Sequence, residues 1–594
     1  MPVFISFHKR MLLGCLLAAI PGIVLAQESA PPAQRGRAQT ASNDIVLQTM
    51  HAELAREQNA LASQSVPPYY MSYNVGDEQT VSMSASYGAL TNSDSSRRRM
   101  LLVDVRVGTY KLDNTHELRG SNDMFAQNGA QAIPYEDDAE SLRLALWRAT
   151  NESYNSATER LQQVRTNETI KVAEDDTAGD FSKADASNHY YQPDIEMSNY
   201  FRNRKEWEDR LQRYSALFAG QKDIFEAKAM LDASIVRKYF VSTEGGEIAS
   251  NQVYTRIMIM ATAKADDGME LPLYKSYFAY KPEDLPSDDS IMRDVRQMIA
   301  TLQEMRNAPV VSPYAGPAIL SGGPAGVFFH EIFGHRVEAH REKSADEGQT
   351  FKKMVGKLVL PTWMDVYDDP TLTHWDGTDL MGHYKYDDEG VLGQRVTVVR
   401  NGILENFLMG RSPMEGFPHS NGHGRAQPGK LPEARQSNLV VIAHKTVPVD
   451  SLRSMLIAEC KAQGKPYGLW FKEVEGGFTL TGRTIPNAFD VLPILVYRIF
   501  ADGEPDQLVR GVDLIGTPLA TFERIVAAGD DGQAFNGMCG AESGWVPVSA
   551  SSPSLLIREI EVQKKQKSQD RLPILPAPDA ITITQQKYKT LGAD

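Results

Sequence analysis

Two histidines and a glutamate lie within one short apolar stretch, Val327-Phe328-Phe329-His330-Glu331-Ile332-Phe333-Gly334-His335, and these are the residue types a hydrolytic metal site needs. Neutral imidazoles bind zinc, an open coordination position takes water, and a neighbouring carboxylate accepts the water's proton. The stretch follows Gly322-Gly323-Pro324-Ala325-Gly326, and Pro324 suits a first helical position, where its missing N–H has no intrahelical partner in any case. A helix from near Pro324 to about Arg341 is therefore expected. The spacing H-E-x-x-x-H sets His330 and His335 roughly 140° apart on an ideal helix, against roughly 40° for an i, i+4 pair. A π-type widening, cheap at Gly334, would return them to one face. On an unwidened helix the stripe is instead Glu331, His335 and Glu338, which forms a competing ligand set.

Further blocks follow in order: Tyr386-Asp387-Asp388-Glu389-Gly390, Asn401-Gly402, Asn421-Gly422-His423-Gly424-Arg425, Tyr467-Gly468-Leu469-Trp470, Glu473-Val474-Glu475-Gly476-Gly477 and Asn536-Gly537-Met538-Cys539-Gly540. Together with Gly326 to Glu338 they resemble the TldD/PmbA family of metallopeptidases, well over residues 310–563 and loosely over the preceding third. The resemblance implies zinc as cofactor, with His330 and His335 as ligands and Cys539 as the third. It also implies an enclosed site for peptides or unfolded segments. The assembly it implies is a homodimer, or a heterodimer with a metal-free paralogue.

In that arrangement Glu331 is the candidate general base, Glu338 orients a ligating histidine or pairs with Arg341, and His340 stands outside the ligand set. His423, between glycines, is a candidate oxyanion donor, although a flexible polar loop is the simpler explanation. Gly476-Gly477 and the glycines of 322–326 would let a peptide backbone lie close, as in β-strand addition; turns would use the same residues. The intact Glu331 favours an enzyme over the alternative, a peptide- or metal-binding protein that keeps the scaffold without the chemistry.

The chain begins with a tripartite leader: His8-Lys9-Arg10, an apolar run from Met11 to Ile23, and Val24-Leu25-Ala26 before Gln27. It reads as a signal peptide over 1–26, so a periplasmic or secreted protein is expected. Removing Lys9 and Arg10 from the 62 basic residues leaves 60 against 76 acidic ones, a formal charge of −16. That balance argues against nucleic acid or an anionic membrane as partner. No later stretch is apolar enough for a transmembrane segment. Beyond the leader only Cys460 and Cys539 remain. In an oxidising compartment the two could pair as a disulfide. Helical spacing around Cys460 makes it a buried free thiol, and the glycines beside Cys539 suggest a loop.

An α+β fold is expected. A disordered leader over 27–43 precedes an N-terminal α+β domain over 44–310, with helices at Asp44–Ser63, Tyr135–Arg165, Glu206–Phe218 and Ile291–Met305. Its strands are expected at Pro68–Val75, Thr80–Tyr87, Met100–Tyr110, Ile224–Leu231, Ile235–Ser242, Gln252–Ala263 and Leu271–Tyr280. A catalytic β-rich domain over 311–563 should be a twisted, mainly antiparallel sheet holding the metal helix, with strands near Leu358–Val366, Ile403–Met409, Gly468–Glu473, Phe478–Gly482 and Asp490–Tyr497. An extended tail over 564–594 completes the chain.

Overall fold

The computed structural model describes residues 40–118, 130–167, 177–184, 188–344, 346–482, 489–516 and 521–565. The leader through residue 39 and the tail from 566 lie outside the described residues. The fold is α+β, with two large sheets that meet across a shared interface.

The first sheet has seven strands built around two long antiparallel pairings, Pro68–Ser86 with Ala89–Val107 and Ile224–Ser242 with Glu247–Lys264. The sequence suggests a break at Gly76-Asp77, but one 19-residue strand runs through it. Asp77 holds it there, because its carboxylate lies between Arg99 at 2.6 Å and Arg97 at 2.7 Å on the neighbouring strand. Likewise the two strands expected at 224–231 and 235–242 are one.

Period-2 alternation gives this sheet two distinct faces. Met71, Tyr73 and Val75 lie under helices Ile45–Leu61 and Ala139–Asn167, and Val81, Met83 and Ala85 lie under Arg204–Ala216 and Asp288–Asn307. Asp44 caps the first helix, its Oδ1 accepting the Leu47 N–H at 3.1 Å. The opposite face rests on the C-terminal half. Lys238 Nζ lies 2.8 Å from Asp388, Arg411 Nη2 lies 2.8 Å from Glu244, and a Cβ at Gly390 would strike the Phe240 ring.

In the second half, strands Tyr314–Leu320, Tyr467–Thr479, Phe489–Phe500, Val512–Gly516 and Gly544–Lys564 are hydrogen-bonded in that order, and the last returns to the first. Five strands thus close on themselves. From Gly544–Lys564 the sheet continues through Asn438–Ala443, Met364–Asp368, Val396–Arg400 and Ile403–Leu404. The pairings of Asn438–Ala443 with Gly544–Lys564, and of Tyr467–Thr479 with Tyr314–Leu320, are parallel, so the sheet is mixed. The strand expected from Leu358 starts at Met364, the one expected to reach Met409 ends at Leu404, and those at 468–473 and 478–482 are one strand, Tyr467–Thr479.

The helix Gly322–Ile332 lies inside this half, among Leu320, Leu514, Leu555 and Ile557. Phe328, Phe329, Phe333, Phe351 and Phe522 pack edge-on or tilted around it, with ring centroids 5.2–6.3 Å apart. Its glycines make the close packing feasible, for a Cβ on Gly326 would stand 2.6 Å from the Ala550 carbonyl oxygen, and one on Gly322 2.6 Å from that of Ser552. The room expected there for a peptide is therefore filled by the chain's own strand. Around Gly476 the space stays open. On the outer side, helix Val449–Ala462 packs Leu452, Leu456 and Cys460 against Ile319, Trp470 and Leu556. Among the described residues, no helix is long and apolar enough to cross a membrane.

Candidate metal centre

The helix carrying His330 does not run on to Arg341. It starts at Gly322, with Pro324 in its third position, and stops at Ile332. Phe333 turns the chain, Gly334–Val337 form a 3-10 turn, Glu338 is extended, and a new short helix begins at Ala339. Two contacts stop the helix. Leu408 donates its N–H to the Val337 carbonyl at 2.8 Å and accepts from the Ala339 N–H at 3.0 Å, capturing this backbone as if it were a strand. At Gly334 a Cβ would fall on the Gln436 side-chain amide, so only glycine fits. A break thus replaces the expected π-type widening and serves the same end. The His330 and His335 rings come to a centroid separation of 4.9 Å.

Cys539 arrives from strand Ile525–Ala541, paired directly with Val546 of Gly544–Lys564, and not from a loop. The flanking Gly540 is needed for packing, since a Cβ there would lie 3.0 Å from the Trp545 ring. One donor atom each from His330, His335 and Cys539 lies within 4.8 Å of the others, and all three residues are buried. His335 Nε2 stands 3.4 Å from the sulfur, while its Nδ1 faces Glu338 Oε2 at 3.0 Å. His330 Nδ1 is buried without a hydrogen-bond partner among the described residues. Two imidazoles and one sulfur converging from three directions, with a carboxylate fixing one ring, suit zinc. Glu331 stands beside this set, its Oε2 3.9 Å from His335 Nε2. Glu338 faces away from the sulfur, so the geometry assembles the His330, His335, Cys539 set and not the Glu331, His335, Glu338 one.

The electrostatics agree with a ligand cluster. Burial alone would raise the Cys539 thiol, but His335 and His330 beside it hold it well below the usual thiol range. Burial opposes charging of His335, yet Glu338 and the Cys539 thiolate push it up to about 10. Burial likewise acts against ionised Glu338, which His335, Arg341 and Arg435 nevertheless hold far below the ordinary carboxylate range. Glu331 is raised, chiefly by burial. Without metal, then, the site pairs a thiolate with imidazolium, and a divalent cation can take the proton's place.

Arg435 and Gln436 carry no motif in the sequence, yet both hold the site. Arg435 donates to the Cys539 sulfur at 3.1 Å and to its carbonyl oxygen at 2.8 Å. Gln436 donates its side-chain amide to the His330 carbonyl at 3.2 Å and its backbone N–H to Glu338 at 3.3 Å. Only the polar run Glu433-Ala434-Arg435-Gln436-Ser437 just ahead of strand Asn438–Ala443 hints at this in sequence. His423, read as a candidate oxyanion donor, has both ring nitrogens engaged elsewhere: Nε2 lies 3.1 Å from Asp368 and Nδ1 3.0 Å from the Asn421 side chain. With its side chain wholly buried, it braces the Asp368 region. Cys460 and Cys539 are both free and buried, and burial pushes the Cys460 thiol up to about 11.

Residues 314–564 match a family model for the PmbA/TldA metallopeptidase C-terminal domain. A metalloprotease of Archaeoglobus fulgidus is 29% identical over 274 residues, covering 46% of this chain and 58% of that one. One from Methanocaldococcus jannaschii is 32% identical over 231 residues, covering 39% and 47%. A zinc metalloprotease TldD homolog of Saccharolobus solfataricus is 26% identical over 276 residues, covering 45% and 57%. The chain spans about half the length of these relatives. Among solved structures, TldE from Thermococcus kodakarensis superposes with a TM-score of 0.57 at 11% identity, covering 87% of this chain and 100% of that one, which bears on the fold alone. Residues 314–564 are thus similar to the C-terminal domain of PmbA/TldD metallopeptidases, and the chain shares its fold with TldE.

Proposed function

We propose that the protein is an exported zinc metallopeptidase that hydrolyses peptide bonds in peptides or unfolded segments. The observation that carries this reading is the meeting of His330, His335 and Cys539 within 4.8 Å, with Glu331 beside them. Zinc held by those three residues would supply a polarising charge at the scissile carbonyl and lower the pKa of water. Glu331 then accepts a proton from the attacking water and returns it to the leaving amine. Burial raises its pKa, which suits a group that must give the proton back. Glu338 and Arg435 keep the ligand side chains in place throughout.

A peptide has a place to lie. Between Gln533 and Cys539 the strand Ile525–Ala541 pairs on one side only among the described residues, and an added strand on the free edge would pass the sulfur. A strand edge takes its partner as an extended segment, the form that peptides and unfolded chains adopt most readily. The tripartite leader over 1–26 supports export. A homodimer, or a pair with a metal-free paralogue, is the assembly we propose, in keeping with the likeness to a TldE fold.

The test is metal analysis of the purified protein together with cleavage of a peptide library with and without chelator. About one zinc per active site and chelator-sensitive cleavage are expected. Peptide binding without cleavage by the zinc-loaded protein would leave a non-catalytic binder on the same scaffold.

A further inference from the structure

A second group of donors stands close to the first. His340 on the short helix Ala339–Lys343, Glu433 on strand Glu433–Ala434, and Glu542 in the turn after strand Ile525–Ala541 each bring one ligand atom within 4.8 Å of the others. His340 Nε2 lies 3.7 Å from Glu433 Oε2. Among the described residues neither ring nitrogen of His340 has a hydrogen-bond partner, and both are buried; Glu433 Oε2 is in the same position. A buried imidazole normally spends at least one nitrogen on a partner, so two idle nitrogens facing two carboxylates call for an explanation.

We propose that His340, Glu433 and Glu542 form a second site for a divalent cation, separate from the His330, His335, Cys539 set. An imidazole and two carboxylates are the donors of borderline to hard divalent ions such as zinc and manganese.

Supporting contacts are already in place. Arg341 grips Glu542 with two hydrogen bonds, at 2.9 and 2.7 Å, fixing its orientation as Glu338 fixes His335. The same arginine donates through Nε to Glu338 at 3.0 Å. Arg341 and Glu338 thus link the two sites directly, and an ion on one side alters the field at the other. An entry route exists, because His340 and Glu433 line a cleft of about 450 Å³ between the two sheets, together with Arg106, Phe181 and Arg411.

The inference stands apart from peptide cleavage and is tested by metal binding. Metal-free full-length protein is titrated with Co²⁺. Total binding is followed by equilibrium dialysis, and the Cys539 site by its thiolate-to-cobalt charge-transfer band. Two ions per chain are expected, only one of them producing that band. His340→Ala and Glu433→Gln should each bind one ion, with the band retained and the far-UV circular dichroism unchanged. Cys539→Ser should lose the band and keep the second ion. Glu433 is a third exposed, so Glu433→Gln keeps the test usable should His340→Ala fold poorly. Saturation of the wild type at one ion per chain, or two ions in the Glu433→Gln variant, overturns the proposal.

Discussion

The guanidinium of Arg435 reaches both ends of Cys539, donating to its sulfur at 3.1 Å and to its carbonyl oxygen at 2.8 Å. Cys539 lies on the last strand pair of the domain, more than 200 residues beyond His335, so nothing local places its sulfur. Arg435 does so by clamping the residue, while its Nε lies 3.6 Å from Glu338, the carboxylate that holds His335. One buried arginine therefore aligns a thiolate and an imidazole that come from opposite ends of the domain.

Arg435→Met should accordingly weaken zinc binding without removing a ligand. Loss of such an outer partner typically lowers metal affinity 10–100-fold. Competition with a chromophoric chelator measures this directly, and an unchanged affinity in the folded variant would mean that Arg435 serves packing alone.

Cys539→Ser should lose zinc from the first site, whereas Cys460→Ser should keep it, since Cys460 packs with Ile319 and Leu556 on the other side of the sheet. The readout is metal content after dialysis. A disulfide between these two cysteines in the active protein would contradict the assignment.

Zinc binding should release protons, and their source is specific. His335, held up to about 10 without metal, is protonated at pH 8, and ligation requires it neutral. Cys539, held well below the usual thiol range, is already a thiolate and gives none. Affinity should therefore climb as pH rises toward about 10 and flatten above it. Calorimetry in buffers of different ionisation enthalpy should count at least about one proton at pH 8. Zinc binding with no proton release at that pH would refute the charged resting state.

The metal helix was legible because its chemistry is local: His330, Glu331 and His335 sit within six residues, and the apolar run around them is helical. Its end was not legible. The stop at Ile332 comes from Leu408 and Gln436, which lie 76 and 104 positions further along the sequence and pair with backbone that would otherwise continue as helix. Strand Gly544–Lys564, the longest among the described residues, is not legible either. Its run Ser549-Ala550-Ser551-Ser552-Pro553-Ser554 is buried and lacks period-2 alternation, because the helix glycines press on Ala550 and Ser552 from one side and neighbouring strands enclose the other. Small residues chosen for close backbone contact look like a loop in sequence. Arg435 and Gln436 escaped for a different reason: their task is to orient other side chains, and no spacing rule marks it.

That close contact has a measurable consequence at Gly326. Alanine is the better helix former by about 1 kcal/mol, which favours Gly326→Ala in isolation. Its Cβ, however, would stand 2.6 Å from the Ala550 carbonyl oxygen, and backbone cannot move aside as a flexible side chain can. Overpacking of this kind typically costs ~1–3 kcal/mol or more. Net destabilisation is expected, seen as a lower Tm. A variant as stable as the wild type would show that helix and strand can separate freely.

Glu331 separates chemistry from metal binding. It follows His330 directly, its carboxylate lies 3.9 Å from His335 Nε2, and it contributes no atom to the three-residue cluster. Glu331→Gln keeps size and polarity but cannot accept a proton. The variant should fold, hold its zinc and still bind peptide, while kcat falls by the roughly 10²–10⁴-fold that a general base contributes. Peptide affinity and zinc content, measured beside kcat, make the result decisive. If zinc is lost as well, Glu331 is a ligand, and the Glu331, His335, Glu338 set returns. If cleavage is unchanged in the zinc-loaded variant, the proton goes to some other group, and Glu331 has no part in the mechanism.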